Sequence, residues 1–269
     1  MKISSFETLL SESEGSMLCD VTIPSNKEQL KCKPMTLGQR KTLSKAVLGQ
    51  VDENDSSFKQ AAVAIIKSLT VEGQFDENKN KYLDFVSALS QIMEYTLVEP
   101  LNMNVKCPSC EEQFSFEIKF NQFYEKISEL NFEPFDVSCT DNAGRTFTFT
   151  LDSPTIQTNI QLEDYFKSSK KGEKGLVDFT FLYIIACIQS ISLDDQVVEG
   201  FNELDFKKKI ELLDKLPSGI MVGGEKSIVS KTMNSDIVKG LNVISEDIKC
   251  PFCDHSMEGA ITFDSFFIL

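Results

Sequence analysis

IKCPFCDHSMEGAITFDSFFIL, residues 248–269, sets two cysteines around a Pro-Phe pair ahead of an alternating apolar stretch. The same cadence stands 143 residues earlier as VKCPSCEEQFSFEIKFNQFY, residues 105–124. With Cys110 placed on Cys253, the next fourteen residues run without a gap: Ile118 falls on Ile261, Phe120 on Phe263, Phe123 on Phe266 and Tyr124 on Phe267. Upstream, Val105-Lys106 matches Ile248-Lys249, and a hairpin start at Asp20-Val21 corresponds to another at Asp136-Val137. Recurrence on this scale predicts a duplication. The expected fold is α+β and mostly helical, in two related halves, 1–130 and 131–269. Each half holds a β-hairpin, several helices and a Cys-x-x-Cys knuckle with a following strand. The middle helices of the halves do not align, so the knuckles and hairpins carry the comparison.

Hydrophobic spacing sets the elements between these markers. Val21 and Ile23 alternate with polar residues, PSNKEQ supplies a turn, and Leu30 and Cys32 resume the alternation, which predicts a hairpin over 18–35. A helix follows Pro34, with Leu37, Leu43 and Val47 on one face and an end near Gly49; another covers SSFKQAAVAIIKSL behind a Ser56 or Ser57 cap. In NKYLDFVSALSQIMEYTLV, Tyr82, Phe85, Val86, Leu89, Ile92 and Met93 keep the three-four spacing of a buried stripe. Strands into VKCPSC and over FSFEIKF and a helix around QFYEKISEL close the first half. In the second, FDVSCTDNAGRTFTFTLDSPT predicts a hairpin turning at Asn142–Gly144, followed by a helix near LEDYFKS and a polar loop, SKKGEKG. Then come an apolar helix over 176–191, an amphipathic one with Phe206, Ile210 and Leu213 inward, a breaker at PSGIMVGG and a last helix over 226–244.

The totals exclude several functions. The 269 residues, 41% hydrophobic and 25% charged, are ample for a core. A net charge of −14 opposes nucleic-acid binding, which needs clustered Lys and Arg, and opposes an anionic membrane surface. The N-terminus lacks a secretion signal, and the most apolar run, 179–191, is too short to span a bilayer. A cytoplasmic setting follows, where eight cysteines do not imply disulfides. The single histidine, His255, leaves Ser-His or Cys-His catalysis without a base, and GIMVGGEKS lacks the spacing of a phosphate-binding loop. No enzyme is expected.

Four cysteines remain to be explained: Cys107, Cys110, Cys250 and Cys253. Two intervening residues let a tight turn aim both sulfurs at one point, as a tetrahedral metal requires. Two such knuckles together make a four-thiolate site, and one structural zinc would staple the halves. The 139 residues between Cys110 and Cys250 are many for such a site, but loop-closure entropy grows slowly with length. Lys106 and Lys249 precede the pairs and can offset thiolate charge. Other readings stand beside this one. Either pair can act as a thiol-disulfide redox centre, although both precede strands, where no helix dipole lowers a thiol pKa. Two separate metals would each lack ligands, with only His255 at hand, and the pairs can also be a metal-free relic. Cys19, Cys32, Cys139 and Cys187 fall in strands or the apolar helix and read as small buried hydrophobes. Cys19 and Cys32 could face each other across the first hairpin.

CDVTIPSNKEQLKCKPMTLGQRKTL, residues 19–43, resembles the opening of the baseplate hub proteins of T-even-type tailed phages, with Lys33-Pro34-Met35 where that family places a basic or aromatic residue before Pro and a helix. KYLDFVSALSQIMEYTLVEP running into VKCPSC is similar to that family's helix, strand and knuckle, and CPFCDHSMEGAITFDSFF to its ending. The resemblance implies a non-enzymatic tail-assembly protein, either a baseplate hub subunit or a chaperone for hub and tape-measure assembly. It implies other tail and baseplate proteins as partners, while the charge balance and hydropathy stand against nucleic acid and membrane. The implied location is the host cytoplasm, with the virion tail baseplate as the other place. Two full knuckles set this chain apart, so the metal assignment rests on the cysteines themselves.

Overall fold

The computed structural model describes residues 17–49, 58–97, 99–172, 179–194, 196–221, 227–233, 235–238 and 245–262. Contacts divide the chain into two compact units, one drawn from 1–76, 83–129 and 242–269, the other from 77–82 and 130–241. By internal resemblance residues 242–269 go with the second half; by contact they go with the first unit.

In the first unit, β1 (Cys19–Thr22) and β2 (Gln29–Cys32) are antiparallel, with Val21 opposite Leu30 and Cys19 opposite Cys32. Their alternation buries Val21, Ile23, Leu30 and Cys32. Thr36 then starts α1 (Leu37–Val47) through a reciprocal capping box with Gln39. Leu43 is buried as expected, whereas Leu37 stands exposed. α2 (Phe58–Leu69) passes without a loop into β3 (Thr70–Glu72), which pairs with β2 in the order β1-β2-β3. The Lys33 N–H donates to the Leu69 carbonyl at 2.9 Å and fixes that junction. Gly73 follows at φ 87°, where a Cβ would meet Leu30 Cδ2 at 2.6 Å, so only glycine lets the chain close onto β2.

α3 (Tyr82–Thr96) belongs to this unit from Leu83 onward. All six residues of its expected stripe are buried, but so are Asp84, Ser87 and Ser90. The Ser90 hydroxyl donates to the Val86 carbonyl of its own helix and Ser87 accepts from Gln91, whereas Asp84 and Gln91 stitch the helix to the first hairpin. Asp84 accepts the Ser25 N–H at 2.9 Å and the Ser25 hydroxyl at 2.6 Å, while Gln91 accepts the Thr22 N–H and donates to the Thr22 carbonyl, both at 2.9 Å. β4 (Leu101–Lys106) and β5 (Gln113–Ile118) form a ribbon in unbroken register, and α4 (Asn121–Ser128) buries Phe123 and Ile127.

The second unit opens with β6 (Phe135–Thr140) and β7 (Thr146–Leu151), joined where expected by a turn with Gly144 at φ 81°. The Asp141 carboxylate accepts the backbone N–H groups of Ala143 and Arg145 there. After α5 (Ile156–Gly172), α6 (Phe179–Cys187) runs straight into β8 (Ile188–Leu193), and the Asp152 N–H donates to the Cys187 carbonyl at 2.9 Å. The sheet order is β6-β7-β8-β9, with β9 at Gln196–Val197.

Three expectations need correction in this unit. The apolar run 176–191 is not one helix, because Ile188 onward pairs with β7, Ile191 lying opposite Phe149. The three-residue spacing of Ile188 and Ile191 mimics a helix, and the unpaired edge of β7 overrides it. The start of SKKGEKG is the last turn of α5 rather than loop, while 173–178 lie outside the described residues. The last helix is not continuous over 226–244. α9 covers Ile228–Thr232, residues 236–238 are helical again, and 239–244 lie outside the described residues. Between these, α7 (Phe206–Leu213) is capped by Asp205 and buries Phe206, Ile210 and Leu213 as expected, with α8 at Ser218–Met221. Lys209 is buried with them; its Nζ donates to the Ile188 carbonyl and sits 5.1 Å from the Phe201 ring centroid. The fold is thus mixed α+β, built of helices and small antiparallel sheets. Among the described residues no helix is long and apolar enough to cross a membrane.

Candidate metal centre

β4 and β5 meet at one turn; β10 (Ser245–Lys249) and β11 (Ser256–Thr262), also antiparallel and in the first unit, meet at the other. The two turns share one hydrogen-bond pattern. Cys107 N–H donates to the Glu112 carbonyl and Glu111 N–H to the Cys107 carbonyl, both at 2.9 Å. Cys250 N–H donates to the His255 carbonyl at 2.9 Å and Asp254 N–H to the Cys250 carbonyl at 3.0 Å. In each, the residue after the second cysteine turns left-handed, Glu111 at φ 62° and Asp254 at φ 56°. That reversal returns the chain to its partner strand while both sulfurs stay on one side.

The four predicted residues come together: the sulfurs of Cys107, Cys110, Cys250 and Cys253 all lie within 4.8 Å of one another. The Cys107 and Cys253 sulfurs are 3.7 Å apart and those of Cys110 and Cys250 3.6 Å. A metal at about 2.3 Å from four tetrahedral sulfurs sets them about 3.8 Å apart. The first cysteine of each knuckle faces the second cysteine of the other, a two-fold arrangement within one chain. Cys107 and Cys250 are buried, Cys110 is half-buried and Cys253 exposed. His255 contributes its carbonyl to the turn, and its side chain is exposed.

The electrostatics fit a cation. The Cys110 backbone N–H, more than any other group, favours the Cys107 thiolate; with the Ser109 N–H and the Cys110 and Cys253 thiols, and against burial, it lowers that thiol to about 6. At Cys110 the Glu112 N–H is the largest influence and favours the thiolate, yet burial and the sulfurs of Cys253, Cys250 and Cys107 push the thiol up to about 12. One thiolate is easily held and a further one at Cys110 is resisted, a conflict that a divalent ion among the sulfurs removes. Lys106 lies 3.5 Å from Glu111 in a well-exposed pair, which contributes little.

A third turn of the same form escaped the sequence reading. Ile23 N–H donates to the Glu28 carbonyl at 2.9 Å, Lys27 N–H to the Ile23 carbonyl at 2.8 Å, and Lys27 has φ 62°. VTIPSNKEQ (21–29) and VKCPSCEEQ (105–113) share Val, Pro, Ser, Glu and Gln at matching places, a signal visible once Ile23 and Asn26 are set on the cysteines. The turn therefore forms without sulfur. Here Asp84 fastens it through Ser25, and Asn26 accepts the Glu28 N–H at 3.0 Å. The four-sulfur cluster is a property not of one knuckle but of the meeting of two.

The remaining cysteines are buried and free, as expected for small hydrophobes. Cys19 and Cys32 do face each other, but the Cys19 thiol donates to the Cys32 carbonyl at 3.4 Å. The terminal FDSFFIL lies outside the described residues.

Residues 17–267 match the family model described as T4 bacteriophage base plate protein. Comparisons with curated proteins and with solved structures each returned no match.

Proposed function

The chain belongs to the family of T4 bacteriophage base plate proteins, and from that premise we propose that it is a non-enzymatic tail-assembly protein with a structural zinc. It acts as a baseplate hub subunit or as a chaperone while the hub and tape measure assemble in the host cytoplasm. Its partners are other tail and baseplate proteins. The family match over residues 17–267 carries this reading. Mass spectrometry of purified virions separates its two forms: a hub subunit is present at low copy, and a chaperone is absent. Recovery of no tail protein with the tagged chain from infected cells, in mild salt, refutes both.

The zinc is held by Cys107, Cys110, Cys250 and Cys253. Their spacing supports this: two sulfur pairs stand at 3.6 and 3.7 Å and all four lie within 4.8 Å, and an ion bound by four thiolates keeps no open position for chemistry. The ion fastens the ribbon of 245–262 to the ribbon of 101–118. A redox dithiol needs only its own two sulfurs, whereas here each pair is turned toward the other.

The division into related halves, 1–130 and 131–269, belongs to the same proposal. Beyond the knuckles it is supported by a repeated junction. In each half a hairpin is followed by two helices, the second helix runs directly into a third strand, and the residue after the hairpin donates to the helix's last carbonyl: Lys33 to Leu69, Asp152 to Cys187. Thr36 and Thr155 cap the first helix in each half, accepting the N–H groups of Gln39 and Thr158.

A further inference from the structure

Two of the sulfur contacts in the thiol cluster join an exposed or half-buried cysteine to a buried one across the knuckles. Cys253 is exposed and faces Cys107, which is 0% exposed; Cys110 is half-buried and faces Cys250, which is 1% exposed. This arrangement has a consequence for oxidation that is independent of any ion. An oxidant reaches Cys253 and Cys110 first, and each has a buried sulfur of the other knuckle within 3.7 Å.

We propose that the cluster is an oxidative modification site whose product is a pair of disulfides across the knuckles, Cys107–Cys253 and Cys110–Cys250. With hydrogen peroxide as oxidant, the Cys253 thiolate attacks one peroxide oxygen, the O–O bond breaks, and the sulfenic acid and a hydroxide form. The Cys107 thiolate then attacks the sulfenic sulfur; an S–S bond forms as the S–O bond breaks, and a second hydroxide leaves. Two electrons pass from the two thiolates to one peroxide, and a second peroxide serves Cys110 and Cys250 in the same way. The product is a covalent clasp that keeps the ribbon at 245–262 joined to the ribbon at 101–118 without metal. Disulfides inside a knuckle would instead leave the two turns unconnected.

The inference rests on the sulfur geometry of the proposed metal centre and not on the ion. The test uses the full chain, stripped with a chelator, oxidised with hydrogen peroxide and mapped by non-reducing peptide mass spectrometry. Residues 250–269 and the peptide carrying Cys107 and Cys110 are expected as one linked species. Two closed peptides, each with its own disulfide, overturn the proposal, as does the absence of any disulfide. Paired serine variants fix the connectivity. Cys110→Ser/Cys250→Ser retains Cys107 and Cys253 and closes readily. Cys110→Ser/Cys253→Ser retains two buried sulfurs and closes at least tenfold more slowly; equal rates overturn the assigned pairing. Zinc content is measured on the protein before stripping. Zinc absent with cross-knuckle disulfides defeats only the metal reading, and zinc present with within-knuckle disulfides defeats only this one.

Discussion

Asp84→Ala tests how the sulfur-free turn is held. The carboxylate is fully buried and accepts two hydrogen bonds from Ser25, at 2.9 Å from the backbone N–H and at 2.6 Å from the hydroxyl. A hydrogen bond to a charged group contributes about 1.5–3 kcal/mol net, and the truncation leaves both Ser25 donors without that partner. Together these set a loss of about 4 kcal/mol, and at roughly 2–4 °C per kcal/mol for a chain of this size the unit should melt about 8–16 °C lower. Ser25→Ala removes only the hydroxyl and should cost about 1.5 kcal/mol, less than half as much. The assay is thermal unfolding with zinc present, joined to hydrogen exchange at the Ser25 and Lys27 amides. Exchange should accelerate there while the Cys107 amide, in a turn with no such carboxylate, keeps its protection. A shift of only about 2 °C, or equal losses for Asp84→Ala and Ser25→Ala, would show that the turn's backbone bonds suffice and that Asp84 does not fasten it.

Other outcomes follow from the same structure. Leu89→Ala, at a fully buried position of α3, should cost about 2–5 kcal/mol in urea unfolding. Asp205→Ala removes the acceptor for the Lys208 N–H at the start of α7 and should cost about 1 kcal/mol, with Asp205→Asn recovering most of it. Burial, then the neighbouring Cys32, raises the Cys19 thiol from 9.0 to about 11, so the fold favours the neutral form. Its contribution is whole below pH 9 and disappears as pH rises to 11, a loss of roughly 2 kcal/mol. A pH series of unfolding midpoints should show that slope in the native chain and a flatter one in Cys19→Ala.

Much of the fold could be read from local pattern. The hairpins, the stripe of α3 and the inward face of α7 lie where alternation and three-four spacing put them. The misreadings came from tertiary pairing. Ile188-Gln-Ser-Ile-Ser-Leu has helical spacing and becomes a strand because β7 offers it an edge. The burial of Asp84 on a helix with one predicted apolar stripe reflects the hairpin bonded to it, which spacing along one segment does not encode. The candidate site was legible because Cys-x-x-Cys is sparse and specific. The kinship of Ile23–Glu28 to the knuckles was not, because that turn carries no sulfur and its only mark is a short Pro-Ser turn.

The most direct test of the account is metal analysis of the full chain purified without chelator, covering zinc and iron together. The account predicts about one zinc per chain, lost in Cys107→Ser/Cys250→Ser, and a lower melting temperature once the ion is removed. Two zinc ions per chain, iron in place of zinc, or no metal with unchanged stability under chelation would contradict a shared zinc tetrathiolate that fastens the ribbon at 245–262 to the ribbon at 101–118.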